Sequence, residues 1–240
     1  DQWAAMAIAG PRSRDVLAKV VNVDVSNEAL PFMGVTECRA AGVPARLFRI
    51  SFSGELAYEL NVPSDYGRHV WEACLEAGAA FEIVPYGLEA LDTMRIEKGH
   101  VTGAELDGRT TAEDLGLGRM VSGKKPFIGK GLLDREGLVD PNRKRLVGLI
   151  PVDRKTPLRG GAQIVADPDA PPPVPMLGHV TSAAYSPKLG HPIALALLSG
   201  GAEREGQTLH VVDPVRGGTK VAVTVTSPVF FDPEGKRLHA

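Results

Sequence analysis

The clearest pattern in the sequence is an alternation of apolar and polar positions on either side of a short turn. Residues 46–50 are typical of a strand, and from Leu56 to Val62 apolar residues alternate with polar or small ones. A period of two indicates a strand with one buried face. Between them, the Ser-Phe-Ser-Gly of residues 51–54 predicts a turn whose glycine takes a positive φ angle. The pattern predicts a hairpin with Glu55 at its mouth, on the face opposite the leucine that follows it.

Both helical and strand periodicity occur in the first 140 residues. We expect strands over residues 3–9, 36–40 and 81–84 and helices over residues 11–21, 65–77 and 88–98. The apolar stripe of the helix over 65–77 contains Val70, Trp71, Cys74 and Leu75, which predicts that these side chains are buried.

Beyond the Asp-Pro-Asn-Arg punctuation at residues 140–143, the pattern becomes entirely that of short strands. They are expected over residues 145–150, 162–166, 176–182, 193–198, 208–213 and 220–226. Six short strands at this spacing are typical of a small antiparallel barrel. The expected fold class is therefore α+β, with a mixed domain over residues 1–140 and a six-stranded antiparallel β-barrel over residues 141–240.

Composition and charge exclude several function classes. The formal net charge of −2 gives no basic surface for nucleic acid, and no apolar run is long enough to cross a membrane. Two cysteines indicate a reducing compartment, for which we expect the cytoplasm, and neither cysteine has the surroundings of a nucleophile. The six histidines lack ligand spacing, so no metal site is predicted. No catalytic residue stands out.

Two charged residues are candidates for binding on their position alone. A carboxylate at Glu55 only accepts hydrogen bonds, so it suits a ligand with paired N–H donors; the alternative is a polar hairpin turn. Arg95 falls on the apolar face of its predicted helix, where a guanidinium is costly unless paired. Either Asp92 pairs with Arg95 to orient the helix, or Arg95 shapes a ligand pocket.

Four segments resemble the folate-binding aminomethyltransferase family. Residues 51–60, Ser-Phe-Ser-Gly-Glu-Leu-Ala-Tyr-Glu-Leu, resemble its Tyr-Thr-Gly-Glu signature, and residues 85–99 resemble the helix that follows. The Glu-Lys-Gly at 97–99, with residues 110–116 and 123–129, most resembles the α subunit of heterotetrameric sarcosine oxidase. Relative to the family, the chain begins after a first segment with an acidic catalytic residue, so the resemblance implies a partial folate-binding domain.

The resemblance implies a tetrahydrofolate-binding module that captures a one-carbon unit as 5,10-methylene-tetrahydrofolate during sarcosine oxidation. Glu55 would bind the pterin N–H groups, while Tyr58 and Arg95 would line or brace the pocket. Tyr185 would face the folate, although packing of a buried ring is the alternative. FAD, FMN and NAD would be bound elsewhere in the complex, by the rest of the α subunit and by other subunits, especially the flavin-bearing β subunit.

Two further interpretations stay open. The first is a glycine-cleavage aminomethyltransferase. The second is a protein of the same fold that assembles iron–sulfur clusters and is not a conventional enzyme; such proteins carry Cys where this chain has His100, which argues against it. On the main interpretation the isolated chain is expected to be catalytically inactive.

Overall fold

The computed structural model describes residues 2–240, which fall into two units. One unit, here the sheet unit, contains the chain up to Met94 together with Asp232–Ala240. The other, here the barrel unit, contains Arg95–Phe231.

An antiparallel sheet of four strands forms the frame of the sheet unit. The strands are β1 (Trp3–Ala9), β2 (Val35–Ala40), β3 (Val43–Phe48) and β4 (Ala57–Pro63), in the spatial order β1-β4-β3-β2. The register pairs Met6 with Leu60 and Leu60 with Leu47, so apolar residues lie side by side across three strands. The strand expected at residues 36–40 is present as β2, at the edge of the sheet.

Two helices contact this sheet, α1 (Ser13–Val20) and α2 (Gly67–Gly78). Val16, Leu17 and Val20 recur at helical spacing on α1 and are buried, and Val70 and Cys74 do the same on α2. The prediction that Trp71 is buried is wrong, because 41% of its surface is exposed.

The segment after α2 differs from its prediction. Residues 79–81 form a 3-10 turn, and Glu82 takes a left-handed conformation with φ 57°, so the strand expected over 81–84 is absent. The Ile83 N–H donates to the Gly78 carbonyl at 3.2 Å. A Cβ at Gly78 would lie 2.5 Å from the Ile83 side chain, so only glycine lets the chain fold back here. The helix α3 (Leu88–Lys98) follows.

Six antiparallel strands close the barrel of the barrel unit, as the sequence predicts. They are β5 (Lys144–Pro151), β6 (Gln163–Val165), β7 (Gly178–Ser186), β8 (His191–Ser199), β9 (Thr208–Asp213) and β10 (Thr219–Thr226), in the order β10-β5-β8-β7-β6-β9. A short helix, α4 (Glu136–Val139), precedes them. Alternating residues such as Val221, Val223 and Val225 are buried in the barrel core.

Candidate functional site

The sheet unit contains a cavity of about 780 Å³ with largely apolar walls. One wall is β1, whose Ala5, Ala7 and Ala9 present small side chains. The others are α2, the segment after it, and the first part of α3 up to Met94. The volume lies within the range of about 300–1,000 Å³ that is typical of small-molecule sites.

Three aromatic residues line the cavity from different elements: Trp71, Phe81 and Tyr86. Flat rings of this kind pack against a flat heterocyclic ligand. Burial, and then the nearby charge of Glu59, raise the pKa of Tyr86, so its hydroxyl stays protonated at neutral pH and can donate a hydrogen bond. The lining thus combines apolar surface with a polar donor.

Two glutamates line the cavity, Glu82 and Glu55, and Glu55 directly follows the hairpin turn. The hairpin turn holds it as the sequence predicts: Gly54 has φ 85°, and its N–H donates to Ser51 Oγ at 3.1 Å. The Glu55 N–H donates to Ser53 Oγ at 3.4 Å. The turn therefore fixes the backbone of Glu55, whose side chain lines the apolar cavity.

The turn between β1 and α1 is hydrogen-bonded to the same hairpin. The Gly10 N–H and the Ser13 hydroxyl both donate to the Leu56 carbonyl, at 2.9 Å and 3.1 Å. Gly10 has φ 117°, a conformation open to glycine and strained for other residues. The end of β1 and the start of α1 are thereby tied next to Glu55.

Arg237 contacts the Glu55 carboxylate through Nη1 and Oε1. Glu55 keeps 22% of its side chain exposed and Arg237 keeps 43%. Sequence reasoning missed this arginine, since 182 residues separate the two and no local pattern links them.

The structure places Tyr58 in the core of the sheet unit. Its ring is fully buried, its hydroxyl accepts from Arg14 Nε at 3.1 Å, and it donates to the Val25 carbonyl at 3.4 Å. Among the described residues, the cavity lining includes Glu55 but not Tyr58. Any part of Tyr58 in binding would be as a brace for the hairpin.

Arg95 is buried within the barrel unit, where it pairs with a residue that sequence reasoning did not find. Its Nη1 lies 3.2 Å from Glu105 Oε2, and its Nη2 donates to Ser182 Oγ at 2.7 Å. Ser182 in turn donates to Glu105 Oε1 at 2.6 Å, and the Thr102 N–H donates to Oε2 at 2.8 Å. The sequence carries no signal for Glu105 because it lies in an irregular loop.

The same contacts set the charge of Glu105. Burial raises its pKa, but the hydrogen bonds from Ser182 and Thr102 and the charge of Arg95 outweigh burial and leave the pKa below its ordinary value. The cluster is therefore an ionised, hydrogen-bonded pair inside the barrel unit. This geometry supports a structural role for Arg95.

Tyr185 lies on β7 with 58% of its surface exposed. The alternative that its ring is buried is therefore wrong, and its expected part in folate binding stays a prediction. Cys74 lines the cavity, and burial raises the pKa of its thiol to about 11. A protonated, buried thiol is a packing group, as the sequence suggested.

Within residues 2–240, no group of three or more His, Cys, Asp or Glu side chains is arranged to hold a metal ion. None of the helices described there is both long enough and apolar enough to cross a bilayer.

Two family models match the chain. The GCVT N-terminal domain matches residues 1–125, and the glycine cleavage T-protein C-terminal barrel domain matches residues 144–232. The chain belongs to the glycine cleavage T-protein family. The barrel of the structure is thus the barrel domain of this family.

Relatives of this T-protein family member include two named sarcosine oxidase subunit alpha. The one from Rhizobium meliloti is 49% identical and that from Corynebacterium sp. strain P-1 is 45% identical, over 100% and 99% of this chain. The chain spans only about a quarter of their length, 24% and 25%. The aminomethyltransferase of Streptomyces avermitilis is 35% identical over 96% of this chain and 60% of that protein.

A crystal structure of glycine cleavage system aminomethyltransferase T from Bartonella henselae has the same fold. It matches with a TM-score of 0.73 over 95% of this chain and 59% of that one, at 24% identity. The expected α+β fold with a six-stranded barrel is confirmed.

Proposed function

We propose that this chain is the tetrahydrofolate-binding, one-carbon-transfer module of a sarcosine-oxidising enzyme. The observation that carries the proposal is Glu55, a hairpin carboxylate held beside an apolar, aromatic-lined cavity. The pterin edge of tetrahydrofolate presents paired N–H donors, which an acceptor-only carboxylate matches. The apolar walls would cover its rings.

The residues of the chain bind and orient in this proposal. Glu55 accepts from the pterin, Tyr86 donates from its protonated hydroxyl, and Trp71 packs against the rings. Tyr58 braces the hairpin from the core of the sheet unit, and the proposed parts of Arg95 and Tyr185 in folate binding rest on the family resemblance. When bound, tetrahydrofolate supplies the acceptor for the one-carbon unit, which leaves as 5,10-methylene-tetrahydrofolate.

Redox chemistry is assigned to other parts of the enzyme. Relatives of this chain are named as a subunit alpha, which supports a multi-subunit assembly. We place FAD, FMN and NAD in the rest of the α subunit and in other subunits, with the amine-oxidising flavin in the β subunit, and the whole enzyme in the cytoplasm. The proposal keeps the domain division at residue 140 and implies that the isolated chain is inactive.

The test is calorimetric titration of the wild-type protein and Glu55→Ala with tetrahydrofolate. A hydrogen bond to a charged group contributes about 1.5–3 kcal/mol, so affinity should fall by at least about tenfold. Stability should change by less than about 1 kcal/mol, because the pair with Arg237 is partly exposed. Glu37→Ala, an exposed glutamate on the edge strand β2, is the matched control. Equal affinities for wild type and Glu55→Ala would contradict the assignment of Glu55 to folate binding.

A second candidate is a glycine-cleavage aminomethyltransferase, which the 35% identity to the Streptomyces avermitilis enzyme favours. Both candidates use the same cavity and the same carboxylate. They differ in the donor of the one-carbon unit. Sarcosine oxidation by the intact enzyme that yields 5,10-methylene-tetrahydrofolate supports the first, whereas release of the one-carbon unit from an aminomethylated carrier protein supports the second.

A further inference from the structure

The segment Asp232–Ala240 belongs to the sheet unit although the barrel unit precedes it in the chain. It brings Arg237 onto the carboxylate of Glu55. We infer that Arg237 is a positioning residue, which holds the Glu55 carboxylate in the orientation that grips the pterin edge. This inference rests on the proposed function and adds a residue to its site.

The first support is that a tight turn fixes the backbone of Arg237. The two carboxylate oxygens of Asp232 accept from the N–H groups of Lys236 and Arg237, at 3.0 Å and 3.1 Å. Gly235 takes φ 69° and its N–H donates to the Asp232 carbonyl at 2.9 Å. An aspartate that binds backbone donors in this way orders a short turn without a helix or a strand.

The second support is that the end of the segment is anchored in the sheet unit. The carbonyl of Ala240 accepts from Arg14 Nη2 at 3.0 Å and from Arg49 Nη2 at 3.1 Å. Arg49 is 2% exposed and also donates to a carbonyl of the core. The ring of His239 meets Phe32 edge-on, with centroids 4.8 Å apart. Arg237 therefore lies between two fixed points.

The third support is electrostatic. A carboxylate at the edge of an apolar cavity loses hydration, which is costly unless a partner compensates. The Arg237 guanidinium supplies a fixed positive charge at Oε1. An ionised carboxylate has about four acceptor positions, so the arginine contact leaves acceptor capacity for a ligand. Removing the guanidinium would let the Glu55 side chain turn toward water.

The alternative is that Arg237 only fastens the C-terminal segment. The two roles differ in whether the effect of Arg237 on affinity depends on Glu55. A double-mutant cycle measures this dependence directly. The variants are Arg237→Gln, Glu55→Gln and their combination, with Arg237→Lys as the conservative variant. Lys236→Gln is the matched control, since Lys236 is an exposed neighbour paired with Glu234.

Tetrahydrofolate affinity of the full chain is measured by calorimetry, together with the melting temperature of each variant. Arg237→Gln should weaken binding by about tenfold, the scale of one charge-assisted hydrogen bond. In the Glu55→Gln background the same change should weaken binding less than about twofold. Arg237→Lys should restore part of the affinity, and Lys236→Gln should bind like the wild type.

Two results would overturn the inference alone: wild-type affinity in Arg237→Gln, or an equal loss in both Glu55 backgrounds. A wild-type chain that binds no tetrahydrofolate would overturn the proposed function and this inference with it. The two failures are therefore distinguishable in one set of titrations.

Discussion

The two units solve the problem of strand edges differently. The barrel closes six strands on themselves, so each strand of the barrel pairs on both sides. The sheet unit leaves its strands open in the order β1-β4-β3-β2, and the edge strand β1 lines the cavity. The closed architecture uses its apolar residues for its own core, whereas the open one leaves apolar surface that lines a cavity.

The principal ion pairs of the two units show the same difference. In the barrel unit, Arg95 and Glu105 keep 4% and 0% of their side chains exposed and are surrounded by further hydrogen bonds. In the sheet unit, Glu55 lines the cavity, and both Glu55 and its partner Arg237 stay partly exposed. A buried, saturated pair serves stability, while a partly open pair can still accept a ligand.

The largest expected effect comes from breaking the buried pair. Glu105→Ala removes a buried carboxylate that Arg95, Ser182 and Thr102 all contact, which should lower the free energy of unfolding by about 3 kcal/mol. Glu203→Ala, an exposed glutamate of the barrel unit, is the control and should change it by less than about 0.5 kcal/mol. Urea denaturation measures both.

Arg95→Leu removes the other member of this pair and tests whether Arg95 also belongs to the proposed ligand site. A fall in melting temperature with unchanged folate affinity, measured where the variant stays folded, is the expected result. Lost affinity with an unchanged melting temperature would contradict the contrast between the two pairs.

A smaller loss of stability is expected at acid pH, from Asp213 at the end of β9. The hydrogen bonds from Arg159 lower the pKa of Asp213 to about 2, from an ordinary value of 3.8. A carboxylate whose pKa is lower in the folded state stabilises the fold above its unfolded pKa. That contribution should be lost as the pH falls from about 4 to about 2.

The Asp213→Asn variant tests the assignment of this loss. Its unfolding free energy should fall less steeply with acid than that of the wild type, whereas Asp134→Asn, at an exposed position, should keep the wild-type slope. Identical slopes for wild type and Asp213→Asn would refute it. Denaturant titrations at a series of pH values supply the measurement.

The smallest effect on stability should come from filling the cavity. Ala7 is exposed on β1 and lines the cavity, so Ala7→Phe should change the unfolding free energy by no more than about 0.5 kcal/mol. Its ring should occupy the space of the ligand and abolish tetrahydrofolate binding, followed by Trp71 fluorescence and calorimetry. Ala202→Phe, at an exposed turn of the barrel unit, should bind normally. Normal binding by Ala7→Phe would place the ligand elsewhere.

The sequence predicted the features that depend on local patterns. All six barrel strands overlap the ranges expected from the sequence, and β9 matches its expected bounds of 208–213. The positive φ of Gly54 and the edge strand β2 follow from the same kind of signal. Period-two alternation is a local property, so one sequence is enough to read it.

The features that sequence missed depend on contacts between distant residues. Residues 81–84 alternate like a strand, yet the chain folds back so that Ile83 packs on Gly78. The partners of Arg95 and Glu55 lie 10 and 182 residues away, in segments without periodicity. Trp71 has helical spacing with core residues but lines the cavity, because the side of α2 that carries it borders that space.

The discontinuity of the sheet unit has a consequence for the order of folding. Strands β1 to β4 can pair once residues 3–63 have been made, but Arg237 reaches Glu55 only after the intervening chain has been synthesised. Contacts across so long a separation close late, because the entropy of a large loop must be lost before the contact contributes. In a nascent chain on the ribosome, the sheet would therefore assemble before Arg237 contacts the Glu55 carboxylate. On the proposed function, the orientation of Glu55 would be set only after residue 237 has been synthesised.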